Sequence, residues 1–596
     1  TGRPVSCLVM GCSKRCDPLG SSPENGSDEI VRNLGAAVAA DVGKSENPVK
    51  TVDCMRPAGG MGWWRSGPNG TCAGLDALPE ALRHVHEPFC LLDNEDTYRV
   101  AVGGAVSFGA EPIEGDMPVA AYVPACPIER LGDAGFCADY GVRYPYICGS
   151  MAHGIASTAI AEALGKAGML GFFGAAGLEP AAVETAIDRL SALGKDIPYG
   201  INLIHSPNET GLEDAIVDLF LRRGIRLVEA SAFLRLTLPV IRYRVHGIHR
   251  DASGTIVTPN RLIAKVSRVE LAERFFAPAP DNLLQQLVAK GTITAEQAEL
   301  AARIPVAQDI TAEADSGGHT DNRPAIALLP TICAVRDRLQ EQYRYSMPLR
   351  VGLGGGIGTP VSAAAAFAMG AAYVLTGTIN QSCVESGTSD AVRTMLGAAE
   401  QADVAMAPAA DMFEMGVTVQ VLKRGTMFSM RAAKLYELYR KYNAIEEIPA
   451  EERTKIEKTM FRLTLDQVWD QTRAFFAARD PRQLERAEKN PRQKMALVFR
   501  WYLGQASHWA TRGEAGREVD YQVWCGPAMG AFNEWVKGTF LEPWTNRDVV
   551  TVALNILHGA AVVMRLSQLR QQGIALPPAM QHVVPLERAQ IEEYLR

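Results

Sequence analysis

The chain has 596 residues, more than one typical domain of about 100–200 residues, so several domains are expected. Apolar residues make up 47% and charged residues 21%, a globular composition that excludes a disordered or collagen-like chain. The net charge of −7 offers no overall basic surface for nucleic acid. Twelve cysteines without regular spacing and no opening signal peptide predict a cytoplasmic protein. The longest stretch of small and apolar residues, 361–378, predicts a helix followed by a buried strand, so no membrane association is expected.

The first part of the chain is rich in Gly, Pro, Ser and Asn. Within residues 1–95 only 30–42 has a clear amphipathic pattern. This composition predicts a loosely packed appendage or linker.

From Tyr144 onward, short apolar runs alternate with helical patterns. Eight runs begin near residues 144, 169, 199, 225, 260, 307, 349 and 371. Continuous apolar runs predict strands buried on both faces, and the segments between them predict the covering helices. The sequence therefore predicts an α/β fold, a TIM (β/α)8 barrel over 96–390. We expect its helical insertion, 273–304, to cap the carboxyl-terminal face of the barrel.

Beyond the barrel, 391–596 is predicted to be mostly α-helical. The helical patterns cover 390–405, 428–443, 464–478, 493–511 and 546–571.

The loops after the seventh and eighth runs predict a phosphate site. Gly355 and Gly356 lie in the segment VGLGGGIGTP that opens a helix, and Gly377 and Thr378 end the eighth run. In TIM barrels these two loops commonly bind phosphate, because glycines allow close approach of backbone N–H groups. The alternative is that the glycines only form tight turns. Ile357 breaks the G-x-G-x-x-G pattern, which disfavours a Rossmann site.

The sixth run ends in a polar, flexible segment, EADSGGHTDNRP. His319 follows Gly317 and Gly318 there, which favours an exposed imidazole that acts as a proton donor. The alternative is a histidine at a helix start, with Asp321 or Asn322 as the cap.

Polar side chains also end the third and fifth runs. Asn202 and Lys265 are predicted to bind a planar cofactor across the barrel mouth. Glu229, which ends the fourth run, is a weaker candidate, and His153 and His205 are more typical of loop histidines. No metal site is predicted, because the Cys and His pairs have no partners at ligand spacing.

Seven segments together resemble the PfaD-type enoyl reductases of polyunsaturated fatty acid synthases and trans-acyltransferase polyketide synthases. They are CGSMAHGIAS, PNRLIAKVSR, EADSGGHTDNRP, VGLGGGIGTP, TGTINQ, DMFEMGVTVQVLKRGTMFSMRA and YQVWCGPAMGAFNEWVKG. The glycine-rich loops alone would match only the wider group of FMN-dependent enoyl reductases and nitronate monooxygenases. The segments 411–432 and 521–538 make the resemblance specific.

The resemblance implies bound FMN, NADPH as reductant and the 2,3-double bond of an enoyl thioester on an acyl carrier protein as substrate. It places Gly149, Ser150 and Met151 against the flavin ring and Asn202 and Lys265 at its edge or ribityl chain. It assigns the ribityl and phosphate contacts to Gly317, Gly318, Gly355, Gly356, Gly377 and Thr378. It makes His319 the active-site histidine and the helical region 391–596 the part that faces the substrate and the acyl carrier protein. A homodimer is one oligomeric option.

Two other functions stay open. A nitronate monooxygenase shares the barrel, FMN and histidine, although it needs no large helical region rich in tryptophan. The other is a non-catalytic docking subunit of a synthase. For the carrier protein itself, the basic segment 423–441 is a candidate docking surface, and the alternative is an ordinary solvated helix face.

Overall fold

The computed structural model describes residues 61–596 apart from 96, 110, 195 and 207–210, so the amphipathic stretch 30–42 lies outside the described residues. The first described part is an antiparallel sheet with the strand order β2-β4-β3-β6-β1-β5. Its elements are β1 (Gly62–Arg65), β2 (Thr71–Gly74), helix α1 (Leu78–Arg83), β3 (Phe89–Asn94), β4 (Thr97–Val102), β5 (Ala105–Phe108) and β6 (Met117–Val123).

This sheet corrects the predicted boundary at residue 95. Residues 62–95 are not a loose appendage, and 97–123 belong to the same sheet rather than to the barrel. The strands are only four to seven residues long and separated by Gly-rich turns, so their alternating pattern is too short to stand out from the loops. Trp64, Leu91 and Val119 form part of its buried faces.

The predicted TIM barrel is confirmed: eight parallel strands close into a barrel. Helix α2 (Ala134–Tyr140) precedes it. The eight barrel strands are β7 (Tyr146–Cys148), β8 (Leu170–Phe173), β9 (Tyr199–Ile204), β10 (Leu227–Ser231), β13 (Arg261–Val266), β14 (Asp309–Glu313), β16 (Arg350–Gly354) and β17 (Val374–Thr376). Three short strands of this part of the chain lie outside the barrel. They are β11 (His249–Arg250) and β12 (Ile256–Val257), which form a separate hairpin, and β15 (Gly318–His319). The helices are α3 (Thr158–Lys166), α4 (Pro180–Ser191), α5 (Leu212–Arg222), α6 (Leu238–Val245), α7 (Val269–Phe276), α8 (Asp281–Ala289), α9 (Ala295–Ala301), α10 (Ala325–Tyr343), α11 (Pro360–Ala368) and the single turn α12 (Thr378–Gln381).

The inserted helices α8 and α9 lie at the other end of the barrel from the one predicted. They follow the carboxyl end of α7 and precede the start of β14, and they pack against α6. Because a barrel helix runs antiparallel to its strand, this connection lies at the amino-terminal face. The prediction that the insertion caps the carboxyl-terminal face is therefore wrong.

The region after the barrel contains strands as well as helices. The predicted helix 390–405 ends at residue 397, and two further strands form a small sheet with β15 in the order β15-β19-β18, where the central β19 pairs with both of the others. The elements are α13 (Asp390–Gly397), β18 (Val404–Pro408), β19 (Thr418–Leu422), α14 (Phe428–Lys441), α15 (Ala450–Ile456), α16 (Leu465–Arg479), α17 (Pro481–Lys489), α18 (Pro491–Arg512), α19 (Ala528–Val536), α20 (Val549–Gln571) and α21 (Arg588–Tyr594).

Helix α20 completes the outer ring of the barrel. The single turn α12 is too short to cover the strand that precedes it. Helix α20 covers this position instead and packs against the neighbouring helices α11 and α3. Its length and apolar composition would suffice to cross a membrane, but 89% of its most apolar window is buried inside the protein. Packing within the fold therefore accounts for its composition.

Candidate active site

A cavity of about 310 Å³ lies at the carboxyl ends of the barrel strands, between the βα loops and the C-terminal region. Every residue predicted for the site lines it. These residues are Gly149, Ser150, Met151, Asn202, Lys265, Gly317, Gly318, His319, Gly355, Gly356, Gly377 and Thr378. The structure therefore brings the whole predicted set together at one face of the barrel.

The first loop, after β7, is fixed by a carboxylate beneath it. The backbone N–H of Ser150 donates to Glu229 Oε2 at 2.9 Å, and the Ser150 hydroxyl donates to the same oxygen. Glu229 is fully buried, and burial raises the pKa of its carboxyl despite the charge of Lys265. Glu229 does not line the cavity, so it supports the loop rather than facing a cofactor.

Asn202 and Lys265 present an acceptor and a cation to the cavity. The side-chain Nδ2 of Asn202 donates to the Glu229 carbonyl at 3.1 Å and to Ser231 Oγ at 2.9 Å. Its Oδ1 is therefore left to accept a hydrogen bond from a ligand. Lys265 Nζ lies 3.0 Å from Glu313 Oε1. Burial opposes its charge, but the carboxylates of Glu313 and Glu229 outweigh burial and raise the pKa of Lys265. The lysine therefore stays charged at physiological pH.

The loops after β16 and β17 form an open cradle. Gly355 and Gly356 both have positive φ, 85° and 75°. A Cβ on Gly355 would lie 2.6 Å from the carbonyl carbon of Ala314, whereas a Cβ on Gly356 or Gly377 would meet nothing within 4 Å. At position 355, packing and the backbone angle both require glycine. At Gly356 and Gly377, by contrast, the space above the backbone is open. That open space leaves room for the phosphate that the position of the loops predicts.

His319 is held by the C-terminal region. Strand β15 pairs with β19, with His319 opposite Val419, and His319 Nε2 lies 3.1 Å from Asp411 Oδ1. Burial lowers the pKa of His319, but the charge and hydrogen bond of Asp411 outweigh burial and raise it. In turn, His319 lowers the pKa of Asp411 against the effect of burial.

The alternative role of His319 at a helix start is not seen. Helix α10 begins after Pro324 without a side-chain cap. The Asp321 carboxylate instead accepts from Ser267 Oγ at 2.6 Å and from Arg268 Nε at 2.9 Å. His319 therefore lies in a strand at the cavity wall, with its imidazole directed to Asp411.

The residues that form the wall opposite the barrel are not among the site residues predicted from the sequence. One face of α18 lines the cavity with Arg500, Leu503, Gly504 and Ser507, at the i, i+3, i+4 and i+7 spacing of a helix face. Trp524 lines it as well. This spacing mixes a charged residue, a glycine and a serine, so it gives no hydrophobic signal that would have identified the face from sequence.

The two remaining histidine candidates differ in position. His205 stacks on Phe233 and lies 3.0 Å from Glu213 Oε2, outside the cavity lining. His153 lines the cavity. Among the described residues no three His, Cys, Asp or Glu side chains are grouped as metal ligands.

Comparisons with known proteins agree with this architecture. The family model for nitronate monooxygenase matches residues 138–461, and the model for the inserted helical domain of [acyl-carrier-protein] S-malonyltransferase matches residues 442–521. The enoyl reductase domain of MlnA, from the macrolactin cluster of Bacillus amyloliquefaciens, superposes with a TM-score of 0.70. It is 40% identical, and the match covers 75% of this chain and 99% of that domain.

Two curated relatives belong to biosynthetic synthases. One of the polyunsaturated fatty acid synthase subunits of Thraustochytrium sp. is 52% identical over 76% of this chain, which spans only 31% of that relative. Polyketide biosynthesis protein PksE of Bacillus subtilis is 43% identical over 87% of this chain and 66% of its own length. The chain therefore belongs to the nitronate monooxygenase family of oxidoreductases, in the branch of the PfaD-type enoyl reductases of polyunsaturated fatty acid and polyketide synthases.

Proposed function

We propose that this chain is a trans-acting enoyl reductase, which uses NADPH and bound FMN to reduce the 2,3-double bond of enoyl thioesters on an acyl carrier protein. The observation that carries the proposal is the pair of His319 and Asp411 at the wall of a cavity that all the predicted FMN residues line. The similarity to the MlnA enoyl reductase domain supports the reaction. The two synthase relatives support a role in polyketide or polyunsaturated fatty acid biosynthesis, and a soluble cytoplasmic enzyme fits this role.

The residues of the cavity fit FMN. The open space above Gly356 and Gly377 suits the phosphate, and Thr378 begins the single helical turn beside it. Gly149, Ser150 and Met151 would lie against the ring, with Asn202 Oδ1 accepting from it and Lys265 at its edge or ribityl chain. Gly317 and Gly318 would contact the ribityl chain. When bound, FMN supplies the hydride for the β-carbon of the enoyl thioester.

The protein then has to supply a proton and keep water out. His319 is the proton donor for the α-carbon, because Asp411 favours its protonated form. Asp411 also fixes the ring orientation, so the proton is presented in one direction. The C-terminal helical region closes the cavity opposite the barrel, which limits the access of water to the reacting carbons.

The match to the nitronate monooxygenase model favours a second candidate, oxidation of a small nitronate. An anaerobic assay with a thioester and an aerobic assay with a nitronate separate the two. With a carrier-bound enoyl thioester, the proposed reductase consumes NADPH and gives the saturated thioester, identified by mass spectrometry. Oxygen uptake with a nitronate and no NADPH-dependent thioester reduction would instead establish the monooxygenase.

The third candidate is a docking subunit without catalysis. A purified protein that binds no flavin after incubation with FMN would support it. A yellow protein with a flavin absorption spectrum would reject it.

A further inference from the structure

His153 occupies an unusual position in the first loop of the barrel. Its backbone has φ 59°, in the left-handed region that non-glycine residues seldom adopt. Its N–H donates to the Ala176 carbonyl at 2.8 Å, which holds the loop in this conformation. A Cβ on Gly177 would lie 2.7 Å from His153 Nε2, so the glycine makes room for the imidazole. Strained backbone of this kind is concentrated at functional sites.

The imidazole of His153 is packed between two rings of the C-terminal region. The ring of His508 meets it edge to face, with centroids 4.6 Å apart, and the ring of Trp524 lies 5.4 Å away. Trp524 also approaches the strand of His319, because its Cδ1 lies 3.9 Å from the place of a Cβ on Gly318. Trp524 therefore lies beside both the loop of His153 and the strand of His319.

The surroundings of His153 determine which ring nitrogen carries the proton. Burial, with a smaller effect from His508, lowers the pKa of His153 to about 4, so the ring is neutral at physiological pH. Nδ1 is buried and has no hydrogen-bond partner among the described residues. Unpaired buried acceptors are tolerated better than unpaired buried N–H groups, so we assign the proton to Nε2. Nε2 is the nitrogen that faces Gly177, and both residues line the cavity.

We propose that His153 is a further catalytic residue, which donates a hydrogen bond from Nε2 to the carbonyl oxygen of the thioester substrate. The inference rests on the proposed enoyl reductase function. When hydride adds to the β-carbon, the electron pair of the double bond moves toward the carbonyl oxygen, which gains negative charge. Protonation of the α-carbon then uses this electron pair to form the new C–H bond, and the carbonyl group is restored. His153 keeps its own proton throughout. Its hydrogen bond is strongest when the oxygen carries negative charge, so it stabilises the transition state.

Two histidines with opposite electrostatic surroundings suit these two roles. Asp411 favours the protonated form of His319, which can therefore give up a proton. His153 is kept neutral and polarises the carbonyl without losing its proton. Paired titratable groups whose pKa values are shifted apart commonly divide acid and electrophilic roles in this way.

The test measures whether His153 recognises the carbonyl oxygen itself. Two unreactive pantetheine ligands are compared by calorimetry in the FMN-loaded protein, a saturated acyl thioester and the thioether that lacks the carbonyl oxygen. Wild-type protein should bind the thioester about tenfold more tightly, the size of one hydrogen bond. His153→Phe keeps an aromatic ring against Trp524 but has no donor, so it should bind both ligands equally. Its thioester reduction should slow by about 10²-fold, while reduction of the flavin by NADPH changes little.

Two further variants keep the test decisive. His508 lies outside the cavity lining, and His508→Phe keeps a ring against His153. This variant should therefore keep the tenfold preference for the thioester over the thioether. His153→Asn tolerates the left-handed backbone and keeps an N–H donor, so it should fold and retain part of the preference even if the Phe variant does not fold. A full preference in His153→Phe, or in an Ala variant if the Phe variant is unfolded, overturns the assignment of His153. If wild-type protein reduces no enoyl thioester with NADPH, the proposed function fails, and the role of His153 fails with it.

Discussion

The carboxylate of Asp411 lies 3.1 Å from Nε2 of His319, although the two residues are 92 positions apart in the chain. Asp411 raises the pKa of His319 above the value that burial alone would give. In Asp411→Asn the effect of burial remains and the charge is lost, so the pKa of His319 should fall. Because His319 acts in its protonated form, the decline of kcat/KM on the alkaline side should move to lower pH. An unchanged pH profile would show that another group donates the proton.

Removing the imidazole should slow one half of the reaction only. His319→Ala should retain FMN, because glycine loops and backbone groups hold the phosphate, and slow enoyl reduction by about 10²–10⁴-fold. Stopped-flow absorption should still show near-normal bleaching of the flavin by NADPH. An equal loss in both half-reactions would count against a role specific to the enoyl substrate.

The phosphate position can be tested at Gly356. A Cβ there meets nothing within 4 Å, and Asp tolerates a positive φ better than most residues, so Gly356→Asp should fold and place a carboxylate where the phosphate is expected. The purified variant should lose its yellow colour while its circular dichroism stays near that of wild type. Gly370→Asp is the matched control, because Gly370 also has a positive φ, has equally open space, and lies outside the cavity lining. Stoichiometric flavin in the Gly356 variant would mean that the phosphate binds elsewhere.

The sequence predicted the barrel and its cavity because both depend on local signals. Buried parallel strands read as continuous apolar runs, and the loops after the seventh and eighth strands follow from the order of those runs. Gly356 and His319 could therefore be placed at the same end of the barrel from the sequence alone. The same reasoning failed for residues 62–123, where short antiparallel strands leave too few alternating positions.

Asp411 and the cavity face of α18 could not be predicted in the same way. Each reaches the cavity from an element that contributes no barrel strand, so its position depends on long-range packing. The pairing of β15 with β19 brings Asp411 to His319, and neither strand has a pattern that identifies its partner. The segment 411–432 contributed to the family resemblance without indicating a role for its first residue.

The contact between α20 and α1 should make stability depend on pH. His558 is buried, its Nε2 donates to the Arg83 carbonyl at 2.9 Å, and burial lowers its pKa from 6.5 to about 4. Because the folded pKa lies below the unfolded value, the stabilisation is full above about pH 6.5 and is lost as the pH falls toward 4. The loss should approach about 3 kcal/mol. His558→Gln keeps a donor but does not titrate, so its Tm should fall less than that of wild type between about pH 7 and about pH 5. Equal falls would contradict a neutral buried His558.

The basic segment 423–441 needs a different docking test from the one its sequence suggests. Arg431 forms an ion pair with the fully buried Asp520, and Lys434 lies 3.4 Å from carboxylate oxygens of Glu437 and Glu452. Charge reversal at Arg431 would place a second carboxylate against the buried Asp520, and this like-charge contact destabilises the fold even though Arg462 and Arg517 still pair with Asp520. Arg431→Glu should therefore lower Tm, so a loss of activity in that variant would say nothing about docking.

Arg440 and Lys441 are both exposed at the end of α14 and can test carrier docking. A carrier protein that is acidic around its phosphopantetheine would be attracted to them, mainly through the rate of association. The double variant Arg440→Glu with Lys441→Glu should lower kcat/KM for a carrier-bound substrate and weaken its dependence on salt, while activity on a pantetheine thioester stays the same. Reversal of Lys290 and Arg303 is the matched control, because both are exposed on the insertion at the opposite face of the barrel. Equal effects of the two pairs, or equal effects on carrier-bound and free thioesters, would mean that the carrier protein docks on another surface.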